Sequence, residues 1–221
     1  MIFSLVKKDL RGRYKGSVLG FLWTFINPLL QLVVYTIVFS FILKTNIERY
    51  YLYLFVALIP WIFFSSSITV GSASIVAQKD LIKKIYFPRM VIPISYVTSS
   101  FVNMLLCFIV IFAVIIVSGA GINFLALLTL PVIMLVEYIL ALGMAMLTSA
   151  ITVYFRDLEH ILGIVTMAWM YMTPIMYDKS IVPENLMPIF NLNPMTHVIE
   201  CYRAVLYEKK IPDLTTLLSA A

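Results

Sequence analysis

The sequence predicts an all-α integral membrane protein. Of its 221 residues 62% are hydrophobic and only 12% are charged, so a soluble domain of this length would have more apolar side chain than its core could bury. Long windows without charged side chains alternate with short polar segments, which is the pattern of membrane-spanning helices and their connecting loops. Most of the chain is therefore predicted to face lipid.

Residues 1–15 are predicted to form an amphipathic helix that lies at the membrane surface. Apolar side chains recur at every fourth position, whereas basic side chains lie on another face of the same helix. The apolar positions are Ile2, Val6, Leu10 and Tyr14, and the basic positions are Lys8, Arg11 and Lys15. The apolar run that follows is too long for a signal-peptide core, so this helix is expected to stay attached and to bind anionic membrane lipids.

Five windows are predicted to span the membrane. Four of them are long enough to cross a hydrocarbon core of about 30 Å as helices with a rise of about 1.5 Å per residue. They are residues 18–43, 50–78, 90–117 and 124–155, and the last is interrupted only by Glu137. The fifth window, 160–177, is shorter.

The distribution of basic residues predicts a cytoplasmic N-terminus. With that orientation, ten of the 16 basic residues lie on the cytoplasmic side. Half of the others lie on a long segment far from any span end, where the positive-inside bias has little weight. The net charge of +5 is too small and too scattered to indicate nucleic-acid binding.

Residues 178–210 form a proline-containing segment that this topology places outside. Pro183, Pro188 and Pro194 prevent one uninterrupted helix, so short helices joined by turns are expected. One interpretation is a re-entrant pair of short helices at the outer mouth of a pathway, where protein or water satisfies the backbone. The alternative is a plain extracellular loop.

No motif for ATP hydrolysis or other catalysis is found in the sequence. It contains no Gly-x-x-x-x-Gly-Lys-Ser/Thr phosphate loop, no His-Glu-x-x-His zinc motif and no Gly-x-Ser-x-Gly elbow. Glu137 is the only carboxylate within a predicted span, and Cys107 and Cys201 lack metal-ligand spacing. The chain is therefore predicted to be no enzyme and to hold no cofactor or metal of its own.

Four short motifs are spread over nearly the whole chain. In order they are Tyr14-Lys-Gly-Ser-Val-Leu-Gly-Phe-Leu-Trp23 with Pro28, Lys84-Ile-Tyr-Phe-Pro-Arg89 with Pro93, Phe155-Arg-Asp157 with Thr173-Pro-Ile-Met-Tyr177, and Asn193-Pro194 with Tyr202-Arg203. Together they resemble the permease subunits of type-2 ABC exporters, in particular those for bacterial polysaccharides. That family ordinarily has six spans. Another apolar run begins at Leu214 shortly before the last residue, Ala221, so the sixth span is expected to be missing from this sequence.

The resemblance implies one subunit of an ATP-driven exporter in the bacterial cytoplasmic (inner) membrane. In that family the permease pairs with a second copy of itself and with two ATP-binding cassette subunits, which bind ATP and Mg. The implied cargo is a lipid-linked glycan such as O-antigen, capsule or teichoic acid. Two alternatives stay open, namely a type-2 exporter of a drug or small lipid and a membrane-embedded glycan-processing enzyme.

The connection 79–89 is interpreted as a coupling helix. It has apolar residues on one side and basic residues on the other, and the resemblance places here the helix that docks on the ATPase. The residues assigned to this role are Asp80, Leu81, Ile82, Lys83, Lys84, Ile85, Phe87 and Arg89. The alternative is a basic loop that only fixes the topology. The resemblance also places the helix at 1–15 beside the ATPase.

Polar and aromatic residues in or beside the spans are the candidates for a pathway or gate. They are Trp23, Asn27, Gln31, Glu137, Arg156, Asp157 and Tyr171. Polar side chains within spans usually face protein or water, and aromatic rings stack on the C–H faces of sugars. Helix packing is the alternative for Asn27 and Gln31, and a satisfied carboxyl near the outer interface is the alternative for Glu137. Arg156 and Asp157 are equally interpretable as topology markers.

Overall fold

The computed structural model describes residues 1–13, 18–42, 47–213, 215–216 and 219. This part of the chain forms ten α-helices and contains no β-strand, which confirms the predicted all-α class. Three parts of the predictions lie outside the described residues. They are the beginning of the first motif at 14–17, the end of the first predicted span in 43–46, and much of the C-terminal apolar run.

The helices follow one another with short connections. They are α1 (Ile2–Arg13), α2 (Trp23–Thr36), α3 (Tyr50–Ala77), α4 (Lys79–Lys84), α5 (Val91–Val117), α6 (Phe124–Leu127), α7 (Leu130–Tyr154), α8 (Leu158–Tyr171), α9 (Met187–Leu192) and α10 (Pro194–Leu206). A 3₁₀ turn precedes α2 at Gly20–Leu22, and a π-helical segment, Ile37–Ile42, follows it.

Four of the predicted spans are confirmed as segments that are long and apolar enough to cross a membrane. They are Gly20–Ser40, Tyr50–Ala77, Val91–Val117 and Phe124–Tyr154. Each begins within two residues of its predicted start. The protein is therefore an integral membrane protein.

Helix α8 is shorter than the predicted fifth span. It has 14 residues and ends at Tyr171, whereas the predicted window continues to Tyr177. Such a helix is about 21 Å long, less than a hydrocarbon core of about 30 Å. Pro174 explains the early end, because it disfavours helical geometry at Thr173 and has no N–H to donate. A fifth span at this position stays a prediction.

Helix α3 lies at the centre of the bundle. Every residue from Leu52 to Trp61 is buried. Helices α5 and α7 pack along α3, and three further helices, α2, α8 and α10, also contact it. Further along, a Cβ atom at Gly71 would lie 2.9 Å from Cβ of Ala145 in α7. The glycine thus allows the two helices to pack closely.

Pro28 interrupts the hydrogen bonding of α2. It has no N–H to donate to the carbonyl of Thr24 one turn earlier. The Sγ atom of Cys107 on α5 donates a 3.4 Å hydrogen bond to that carbonyl. Both Cys107 and Cys201 are buried free thiols, as predicted, and Cys107 additionally supplies a donor beside the proline.

The bundle has two ends, which we call the α4 face and the α10 face. At the α4 face, α1 packs against α5, and Lys8, Gln78 and Ile92 help to line a cavity of about 300 Å³. At the α10 face, α10 packs against the beginning of α3, where the rings of Tyr53 and Tyr207 lie 5.4 Å apart.

Short helices form the segment 178–210, as predicted. They are the 3₁₀ turn Lys179–Ile181 and helices α9 and α10. Helix α10 contributes nine buried residues to the contacts with α3 and α7. This burial argues against a loop that merely lies in solvent, while the re-entrant arrangement of α9 and α10 stays a prediction.

Candidate functional site

A polar groove lies between α2, α3 and α8. Its volume is about 340 Å³. The side chains that line it are Gln31, Leu58, Trp61, Ile62, Ser65, Ser66, Thr69, Thr166 and Met170. Five of these nine are polar and none is ionisable, so the groove is neutral. We refer to it below as the hydroxyl groove.

The hydroxyl groups of the groove are held by their own helices. Thr69 Oγ1 donates to the carbonyl of Ser65 at 2.9 Å, and Thr166 Oγ1 donates to the carbonyl of Leu162 at 2.7 Å. Each hydroxyl oxygen still has a lone pair with which to accept from a ligand. Gln31 is exposed and adds both an amide donor and an acceptor. Such a surface suits an uncharged ligand with many hydroxyl groups.

The structure brings only part of the predicted pathway residues to this groove. Gln31 lines it, and Asn27 lies one turn earlier on the same face of α2, where it is exposed. Trp23 at the start of α2 is absent from the lining, as is Tyr171, which is exposed at the end of α8. The predicted positions of these two rings in a pathway therefore find no support in the groove itself.

The groove hydroxyls on α3 and α8 were not among the predicted site residues. A signal for three of them was present, because Ser65, Ser66 and Thr69 form a polar run in the middle of the second charge-free window. Thr166 stands alone in its window. The sequence could not show which of these side chains face the groove, since α3 is hydrophobic on every side.

Glu137 lies in a different place, buried completely within α7. Its Oε2 atom accepts a 2.7 Å hydrogen bond from the hydroxyl of Tyr202 on α10. Its Oε1 atom has no hydrogen-bond partner within the described part of the chain. One oxygen of this carboxyl is therefore paired and the other is not, and both the pathway role and the alternative of a satisfied carboxyl near the outer interface stay predictions.

Helix α10 is attached to its neighbours by further side chains. Asn193, which caps its N-terminus, accepts from Trp169 Nε1 at 2.9 Å and donates to Thr173 Oγ1 at 2.9 Å. The buried guanidinium of Arg203 lies 3.6 Å from the ring centroid of Tyr53 and donates to the carbonyl of Ile175 at 2.7 Å. These bonds connect α10 to α3 and to the end of α8.

A second cavity on the α10 face is charged rather than neutral. Its volume is about 420 Å³, and Asp178, Lys179 and Glu200 are among its lining residues. Lys179 Nζ pairs with Glu200 at 2.8 Å. Hydrogen bonds from Ser180 lower the pKa of the Asp178 carboxyl below its ordinary value, so Asp178 is ionised at neutral pH.

The predicted coupling helix is shorter than expected. Helix α4 ends at Lys84 rather than at Arg89, because Ile85 adopts an extended conformation and Pro88 disfavours helical geometry at Phe87. Leu81 and Ile82 are half-buried, whereas Ile85 is 53% exposed and Tyr86 is completely exposed. The exposed apolar surface therefore lies in the turn that follows α4.

Arg156 and Asp157 are exposed in the connection between α7 and α8. The backbone carbonyl of Asp157 accepts from the N–H groups of His160 and Ile161, which begins α8. Their proposed roles as a gate or as topology markers stay predictions.

Comparison with known proteins identifies a family to which the chain is similar. Residues 1–207, which contain all ten helices, match the family described as ABC-2 type transporter. The chain is 34% identical over 223 residues to the O-antigen export system permease protein RfbA of Myxococcus xanthus, with 100% of this chain and 85% of that protein covered. It is 35% identical over 203 residues to a Klebsiella pneumoniae protein of the same name, with 92% and 78% covered.

Proposed function

The chain belongs to the ABC-2 type transporter family, and from this premise we propose that it is the permease subunit of an ATP-driven exporter of lipid-linked polysaccharide. The exporter would move its cargo outward across the bacterial cytoplasmic membrane. A second copy of this chain and two ATP-binding cassette subunits complete it in this proposal, with ATP and Mg bound by the latter. The names of the relatives from Myxococcus xanthus and Klebsiella pneumoniae support the cargo class.

The hydroxyl groove is the observation that carries this proposal. Sugars present hydroxyl groups together with apolar C–H faces, and the groove offers neutral hydroxyls beside aliphatic side chains. The helices at its rim, α2 and α8, expose apolar residues such as Leu30, Val34 and Ile164. Two copies that meet through these helices would join their grooves into a wider conduit.

The α4 face is cytoplasmic in this proposal, with the N-terminus inside. Lys83, Lys84 and Arg89 then follow the positive-inside rule. Exposed Ile85 and Tyr86 offer the ATPase an apolar contact, and the remaining predicted coupling residues, Asp80, Leu81, Ile82 and Phe87, surround them. In this proposal helix α1 lies at the membrane interface, and a cavity lined by Lys8 of α1 and by Gln78, which precedes α4, supports its position near this surface.

Removal of two groove hydroxyls tests the proposal. We expect Thr69→Val combined with Ser66→Ala to lower export roughly thirtyfold, because the two lost hydrogen bonds to the cargo are worth about 1 kcal/mol each. The matched control is Thr152→Val, since Thr152 also donates to a carbonyl four residues earlier but lies outside the groove. Surface glycan is measured in cells that lack the native gene, with permease levels in the membrane matched.

Unchanged export in the double variant would contradict the role of the groove. A gene deletion that leaves surface glycan intact but causes a drug or a small lipid to accumulate would support the alternative cargo instead. The two results are distinguishable because the first concerns the site and the second concerns the substrate.

A further inference from the structure

We propose that Glu137 and Tyr202 form a positioning pair that fixes the wall of the hydroxyl groove through α10. The importance of the groove rests on the proposed function, but the mechanical link stands on contacts within this chain alone. Neither residue lines the groove, so both would act at a distance from the ligand.

The pair is the buried attachment of α10 to α7. Glu137 and Tyr202 are both 0% exposed, and the hydroxyl-to-carboxyl distance of 2.7 Å is that of a strong O–H···O bond. A bond of this kind between buried groups is costly to break, because each partner then loses its hydrogen bond without gaining water. Tyr202 also packs against Phe108 of α5, with ring centroids 5.7 Å apart, which places its hydroxyl toward α7.

The N-terminal end of α10 contacts the helix end that forms part of the groove wall. Asn193 at the N-terminus of α10 bonds to Trp169 and Thr173 at the end of α8. Trp169 in turn packs edge-on against Phe64 of α3, with ring centroids 5.1 Å apart. Met170, the next residue of α8, lines the groove, and Phe64 precedes the groove residue Ser65.

Helix α10 thus connects the well-packed helix α7 to the end of α8, which has fewer buried residues. Helix α7 packs extensively against α3, whereas only two residues of α8, Leu162 and Thr166, are buried. Trp169 near the end of α8 contacts Phe64 and Asn193. When the Glu137–Tyr202 bond is absent, we expect α10 to shift more readily against α7 despite its apolar packing, and the end of α8 to shift with it. The groove between α3 and α8 then becomes more accessible to water.

Cysteine labelling in the groove tests this link without any need for transport. The purified full chain carrying Ser65→Cys is placed in lipid nanodiscs and treated with a charged maleimide, which reaches both faces. Cys107 and Cys201 are buried in the parent protein, and burial raises the pKa of the Cys201 thiol to about 11. Because Cys201 lies on α10 itself, peptide mass spectrometry is used to count only the label at position 65.

We expect Tyr202→Phe and Glu137→Ala each to raise the labelling rate of Ser65→Cys about fivefold or more, as the loss of one hydrogen bond implies. Glu137→Gln should restore the rate of the parent, because its amide oxygen still accepts from Tyr202. The matched control is Tyr138→Phe, since the Tyr138 hydroxyl bonds to Thr98 of α5 at 2.9 Å and not to α10.

Unchanged labelling in both Tyr202→Phe and Glu137→Ala would overturn the proposal, and so would an equal increase in Tyr138→Phe or a failure of Glu137→Gln to restore the rate. If Tyr202→Phe and Glu137→Ala do not reach the membrane while Tyr138→Phe does, the pair is required for folding only, which also overturns it. Because no glycan or ATPase is present in this assay, its failure is distinct from a failure of the proposed function.

Discussion

Gly71 shows how one residue limits the packing of the central helices. A Cβ atom at this position would lie 2.9 Å from the Cβ atom of Ala145, and neither atom belongs to a flexible side chain that can move aside. A Cβ atom added at Gly143 on α7, by contrast, would have no neighbouring atom within 4 Å. The two glycines therefore differ in their surroundings although both lie in apolar helices.

This difference predicts opposite effects of the same substitution. Gly71→Ala should destabilise the protein by about 1–3 kcal/mol, because α3 and α7 must move apart. Gly143→Ala should be neutral or stabilising by up to about 1 kcal/mol, since alanine favours a helix over glycine. The midpoint of thermal unfolding in detergent measures both, and equal midpoints for the two variants would contradict the packing argument.

Glu137 shows what could and could not be predicted at the scale of single residues. A carboxyl within a charge-free window is visible in the sequence, because burial of such a group in a membrane is costly. Its partner Tyr202 lies 65 positions along the chain, on a helix whose amphipathic pattern indicates a buried face but not the helix against which that face packs. Cys107 was predicted to be a small apolar residue, but its bond to the carbonyl freed by Pro28 depends on the packing of α5 against α2.

At the scale of elements, the four long spans were predictable, as was an apolar segment at the position of α8, whereas the end of α8 was not. Three of the four long spans start close to the last charged side chain before them, because it is costly to place a charged side chain in the hydrocarbon core. The end of α8 is set by Pro174 within a window that remains free of charge, so hydropathy could not mark it. The end of α4 differs from its prediction for the same reason, because Pro88 acts on the residues before it.

The exposed turn after α4 is predicted to be the contact with the ATPase. Ile85→Asp should leave the spans folded, because Ile85 is 53% exposed, but should lower co-purification of the ATPase more than tenfold by burying a charge at the docked contact. Ile181→Asp is the matched control, since Ile181 is 67% exposed on the α10 face. Retention of the ATPase by Ile85→Asp would mean that this turn only fixes the topology.

At the scale of the whole molecule, the orientation of the bundle is the prediction to check. Lys83 on the α4 face and Glu184 on the α10 face are both exposed, so a cysteine at either position is available to reagent. We expect Glu184→Cys to react with an impermeant maleimide in intact cells and Lys83→Cys to react only after the membrane is opened. The reverse result would place α4 and its exposed turn out of reach of a cytoplasmic ATPase.

The bond between Glu137 and Tyr202 also sets a condition on biosynthesis. The two residues are 65 positions apart, so the ribosome completes α7 well before it makes α10. During that interval the Glu137 carboxyl is in the bilayer without the hydroxyl that pairs with it in the finished protein, which costs about 1–3 kcal/mol. A chain whose synthesis stops before Pro194 keeps this unpaired acid permanently. The Glu137 carboxyl thus acquires its hydrogen-bond partner only when α10 has been made, so α7 reaches its final environment at that late step of synthesis.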